Sequence, residues 1–146
     1  MNILKSILQW QKTAKPTPTT EDACVAIGCH YEEVGEMAAV SGDAEIRSDC
    51  ENASYHYKRQ NKNYLSDLEL LAKDDEAKVE LLDALCDQIV TAIGVAHMLG
   101  MDIEGALDEV NKSNYSKFED GKAVLDENGK IRKGKDYFPP DLTKFI

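Results

Sequence analysis

The stretch "KDDEAKVELLDALCDQIVTAIGVAHMLG", residues 73–100, constrains the fold more than any other part of the chain. Val79, Leu82, Cys86, Ile89, Ile93 and Ala96 recur at alternating spacings of three and four, which sets them on one stripe of an α-helix. Asp74 or Asp75 stands where an N-cap belongs, and Gly100 stands where a left-handed terminator belongs. A helix of that length with a continuous apolar seam needs another helix along it. The seam therefore predicts an all-α packing.

The rest of the chain agrees with that class. Residues 2–13 read as a short amphipathic helix, with Ile3, Leu4, Ile7, Leu8 and Trp10 apolar. "KPTPTT" ends it, because Pro16 and Pro18 push their predecessors out of the helical region. Thr19 or Thr20 caps a second helix, with Glu21 and Asp22 at its positive end, and "SGD" stops it near Val40. A third helix is predicted from Asp43 to Leu71, polar and tyrosine-rich, and its "YHYKRQNKNY" is the basic cluster of an acidic body. Asp102 caps a fifth, short helix through Val110. Beyond it the chemistry is that of turns, and Asn128-Gly129 suits a small hairpin. The expected architecture is an antiparallel bundle of about five helices with a mostly non-helical tail. As one domain over 1–146, it divides into an N-terminal helix and linker (1–18), a helical core (19–110) and a tail (111–146).

Composition removes several classes of function. At 42% hydrophobic and 30% charged, the chain is too apolar for disorder. It has no run of about 18 apolar residues, so no membrane span is expected. "MNILKSILQWQK" lacks the continuous apolar region of a signal peptide. A net charge of −10 argues against duplex nucleic acid, which demands phosphate-neutralising cations. The charge is uneven: residues 1–110 carry 9 basic and 21 acidic side chains, and residues 111–146 carry 8 basic and 6 acidic. Cys24, Cys29, Cys50 and Cys86 form no CxxC pair and read as reduced, mostly buried thiols of a cytoplasmic protein. Trp10 reads as a core or dimer contact and His97 as a bundle histidine.

Carboxylates gather on two of the expected helices. In "HYEEVGEM", Glu33 and Glu36 are neighbours on one helical face, as are Glu32 and Glu36. On the helix over 73–100, Glu80, Asp83 and Asp87 form one stripe beside the apolar seam. Either pair alone fits a solvated face. Two clusters flanked by core residues also fit an oxygen-rich cage, since carboxylates desolvated together must neutralise or hold a cation. Mg²⁺ suits such a cage and takes phosphate oxygens as further ligands. The Glu-x-x-His pairs of a di-iron bundle are not present at His30, His56 or His97.

"EEVGE", then "LLDALCDQIVTAIGVAHMLGMDI", then the tail "EVNKSNYSKFEDGKAVLDENGKIRKGKDYFPPDL" resembles the all-α nucleoside triphosphate pyrophosphohydrolases. That group includes MazG-like enzymes and phosphoribosyl-ATP pyrophosphohydrolase, and the tail looks like that of bacterial and phage members. The resemblance covers residues 20–142 by motif order. It implies Mg²⁺-dependent hydrolysis of the α–β bond of a nucleotide to a monophosphate and pyrophosphate, with Mn²⁺ as a substitute metal. It implies metal ligands at Glu33, Glu36, Asp83 and Asp87, with Glu80 an alternative in the second motif. Ala84 stands where the family has Glu, and the interval between the motifs is long. Glu32 or Glu33 would orient or deprotonate the attacking water. Asn111, Lys112, Asn114, Ser116 and Lys117 would meet phosphates, although Lys112 and Lys117 also suit a helix C-terminus. Lys58, Arg59 and Lys62 fit a solvated basic face better than further phosphate contacts. The implied partners are the nucleotide and a second or further copy of the chain, as a homodimer or homotetramer in the cytoplasm of a bacterium or phage-infected host. A different reading of the same sequence is a non-catalytic acidic helical module that binds another protein.

Overall fold

The computed structural model describes residues 2–146, and they are all-helical, with no β-strand among them. Six α-helices run in order: α1 Ile3–Ala14, α2 Thr20–Ser41, α3 Ala44–Lys58, α4 Lys62–Leu71, α5 Asp75–Met98 and α6 Ile103–Tyr115. A 3-10 turn, Thr143–Phe145, follows the tail. The boundaries have local causes. Thr19 and Asp22 close a reciprocal capping box on α2, and Gly42 ends it at φ 86°. Asp43 caps α3 through the Ile46 amide, and Asp102 caps α6 through the Gly105 amide. Gly100 adopts φ 76° after α5, and the Met101 amide donates back to the Ala96 carbonyl at 3.0 Å.

Two elements differ from the sequence expectation. The predicted helix over 43–71 is two helices, α3 and α4. Gln60 turns into the left-handed region at φ 54°, and the Asn61 side chain starts a new helix by accepting from the Asn63 amide. The predicted fifth helix does not stop at Val110 but runs to Tyr115, taking in residues first assigned to the tail. Asn and Ser are weak helix formers, and here tertiary bonds hold them. Asn111 Nδ2 donates to Ser6 Oγ at 2.7 Å, Ser113 Oγ to the Phe138 carbonyl at 2.8 Å, and the Tyr115 hydroxyl to the Ser6 carbonyl at 3.1 Å.

The chain divides into two units. One contains α1, α5, α6 and the tail apart from residues 126–130. Its core forms where α1 meets α6: Trp10 is buried, stacks on Phe118 with ring centroids 5.6 Å apart, and donates its indole N–H to the Asn114 carbonyl at 2.8 Å. Neither α1, α6 nor the 3-10 turn packs along α5. Of the predicted seam only Ala96 is buried, and Val79 and Leu82 are more than 60% exposed. His97, expected inside a bundle, is exposed as well.

The second unit contains α2, α3, α4 and the turn at residues 126–130. Its helices α2 and α3 pack closely through small residues. A Cβ added at Gly28 would lie 2.8 Å from Lys58 Cγ and 2.9 Å from the Lys58 backbone nitrogen. Cys24, Val25, Ala38 and Cys50 are buried in this unit, as are Gly28 and Gly35, and a Cβ added at Gly35 would lie 3.1 Å from Cys50 Cβ. All four cysteines are free; Cys29 is half-buried and Cys86 exposed. No helix among the described residues is long and apolar enough to cross a membrane.

Candidate functional site

Helical spacing sets a charged cleft between α2 and α3. On α2, Glu32 and Glu36 are one turn apart and line it together. On α3, Arg47, Glu51, Tyr55 and Lys58 recur at four, four and three, so they line the facing wall. The cleft holds about 480 Å³, within the range of small-ligand pockets.

Its charges are paired in a distinctive way. One oxygen of Glu32, Oε2, accepts from two ammonium groups, Lys58 Nζ at 2.5 Å and Lys130 Nζ at 3.0 Å. Arg47 Nε donates to Glu51 Oε1 at 2.7 Å, one helical turn on. Burial alone would raise the Glu32 carboxyl, but hydrogen bonds from Lys58 and Lys130 outweigh it and hold it below the ordinary carboxylate range. Burial likewise opposes the charge on Lys130, and the bond to Glu32 outweighs it, so Lys130 titrates above an ordinary lysine. Cys29, close to both lysines, is pushed up chiefly by burial and remains a thiol. At one edge of the cleft the Arg59 guanidinium sits 4.5 Å from the centre of the Tyr55 ring.

The residues singled out by sequence fall in different places. Glu32 and Glu36 line the cleft, whereas the adjacent Glu33 is exposed and does not. Asp83 and Asp87 lie on α5, in the other unit, and are exposed, as is Glu80. Asn111, Asn114, Ser116 and Lys117 are engaged in that unit's own framework. Lys117 Nζ donates to Asn114 Oδ1 at 2.7 Å, and Ser116 Oγ donates to the Ser113 carbonyl at 2.7 Å while accepting from the Phe138 amide. Lys112 is exposed and pairs with Asp108 at 3.0 Å, one turn back along α6. Sequence reasoning passed over Arg47, Glu51, Tyr55 and Lys130. The spacing of the first three was readable once α3 was assigned; the last reaches Glu32 across 98 residues, which no local pattern reveals.

As a metal site, the acidic set is all hard oxygen, the donor type that Mg²⁺ prefers. Among the described residues no three His, Cys, Asp or Glu side chains gather into a group that could hold an ion. No protein-family model matches the chain, and no characterised protein or solved structure is found similar to it.

Proposed function

We propose that the chain is a Mg²⁺-dependent nucleotide pyrophosphohydrolase, cutting the α–β bond of a nucleoside triphosphate or related nucleotide to a monophosphate and pyrophosphate. The observation that carries this reading is the α2–α3 cleft, an open space lined together by carboxylates, cations and an exposed aromatic ring. The resemblance of the Glu motif, the acidic helix and the tail to the all-α pyrophosphohydrolases adds the reaction class.

The metal ligands, Glu33, Glu36, Asp83 and Asp87, are assigned by the resemblance alone. The metal, when bound, shields polyphosphate charge and acidifies a water. Glu32 or Glu33 would orient or deprotonate the attacking water, and the two ammonium groups on Glu32 make that carboxylate a weak base. Tyr55, with Arg59 over its ring, offers a face on which a base can stack. Asn111, Lys112, Asn114, Ser116 and Lys117 are assigned to phosphate contact by the resemblance alone. The uncovered α5 supports assembly as a homodimer or homotetramer, in which another copy covers its seam. The same uncovered helix favours the second reading, a module that binds a different protein.

The test is incubation with a panel of nucleoside triphosphates and Mg²⁺, with pyrophosphate as the readout. Release from at least one nucleotide, abolished by EDTA, is expected. Absence of pyrophosphate from every nucleotide would leave the protein-binding reading, and orthophosphate in its place would move the cleavage to another bond.

A further inference from the structure

Two lysines meet on one oxygen of Glu32. Lys58 and Lys130 both donate to Glu32 Oε2 at the edge of a cleft that Glu36, Glu51 and Arg47 also line, so the two ammonium groups converge on a single atom within a mixed-charge wall. Keeping a lysine largely out of water is costly unless it is compensated, and the Lys58 side chain is only 19% exposed. Both cations are also fixed in position. The Lys58 stem passes over Gly28 so closely that a single added Cβ would collide with it. Lys130 closes a turn in which Asp126 Oδ1 accepts from the amides of Asn128 and Lys130, both at 2.9 Å, with Gly129 at φ 79°. Two ammonium groups that share one oxygen atom, each carried on a rigid support, match the chemistry of a phosphoryl oxygen better than that of a lone carboxylate.

We propose that Lys58 and Lys130 form a phosphate-binding site that Glu32 occupies from within, its carboxylate standing where a phosphoryl oxygen of the ligand would otherwise sit. The proposal deepens the proposed function and rests on it for the source of the phosphate, a nucleotide or its pyrophosphate product. Neither lysine belongs to the tail motif at residues 111–117. Glu32 is then an internal competitor: it holds the lysines in place, and it lowers affinity for any anion that must displace it. Removing its charge frees both ammonium groups for the ligand.

The experiment is calorimetric titration in EDTA at neutral pH and low salt, so that neither metal nor turnover enters. Pyrophosphate, adenosine triphosphate and orthophosphate are titrated into wild type, Glu32→Gln, and Glu32→Gln combined with Lys130→Met. Glu32→Gln is expected to bind pyrophosphate or the triphosphate at least about tenfold more tightly than wild type, the scale of one charge-assisted contact. Lys130→Met should cancel that gain. The ligand with the largest gain identifies the source, with orthophosphate marking a site for a single phosphate group. No gain with any of the three, or a gain that survives loss of Lys130, overturns the proposal. Circular dichroism checks the fold, and Glu32→Ala serves if Glu32→Gln is unfolded. If both are unfolded, backbone amide shifts of wild type under millimolar pyrophosphate decide: shifts at Lys58 and residues 126–130 support the site, and their absence overturns it. Failure here with pyrophosphate still released from a nucleotide would remove the lysine site and leave the hydrolase; binding here without turnover would do the reverse.

Discussion

Protonating Glu32 removes the acceptor that Lys58 and Lys130 share, so the stability of their cluster depends on pH. The folded carboxyl titrates below its ordinary range, so in acid the unfolded chain binds the extra proton and stability rises with pH across that window. The Glu32 contribution is present above the ordinary carboxylate range and lost as pH falls through the folded value. Lys130 behaves oppositely: its contribution is present below the ordinary ammonium range and lost as pH rises through its higher folded value. The melting temperature of wild type should exceed that of Glu32→Gln at neutral pH, with the gap closing in acid, and should exceed that of Lys130→Met, with the gap closing in alkali. Solvent reaches Glu32, so each gap reflects about 1 kcal/mol or less. A gap independent of pH would place the effect in packing rather than charge. Glu36 makes a different residue-scale case. Glu36→Gln keeps its shape and removes a charge from the proposed cage. Pyrophosphate release should fall at least about a hundredfold with helicity intact, the scale of losing one charged transition-state contact.

At the scale of elements, the α2–α3 contact depends on Gly28. Alanine there brings about 1 kcal/mol of helix propensity but presses a methyl group against the Lys58 backbone, which cannot move aside as a side-chain end would. Gly28→Ala should lose about 1–3 kcal/mol of stability in denaturant titration, with the lysine cluster displaced along with α3. Helix α5 sets the opposite problem, since a helix in water gains most of its stability from a packed face. If another copy covers it, Ile89→Asp should weaken self-association by tenfold or more in analytical ultracentrifugation, because a buried Ile is worth about 1.5–3 kcal/mol. An unchanged mass would turn attention to a different protein as the covering partner. Helix ends were largely legible in sequence, because caps are local chemistry: Thr19 with Asp22, Asp102, Gly42 and Gly100 all stand where they act. The break between α3 and α4 was not, since neither Gly nor Pro marks it and Gln60 takes its left-handed conformation without a sequence signal. The length of α6 was also hidden, because its last turns are held by Ser6 and Phe138 rather than by their own propensity.

At the scale of the whole molecule, the division into two units could not be read from composition, because it follows contacts between segments far apart in the chain. The acidic motifs were visible as spacing, yet their distribution between units was not, nor was the docking of residues 126–130 on the α2–α3 unit through Lys130. That one unit is assembled from both ends of the chain has a consequence for biosynthesis. Ser6 finds Asn111 and Tyr115, and Trp10 finds Asn114 and Phe118, across more than a hundred positions. On the ribosome, residues 18–75 can pair their own helices as they emerge, while α1 carries its indole uncovered until α6 has been translated. A nascent chain halted in that interval would present an amphipathic helix to whatever chaperone stands nearby, and the delay would grow with every slow codon between them.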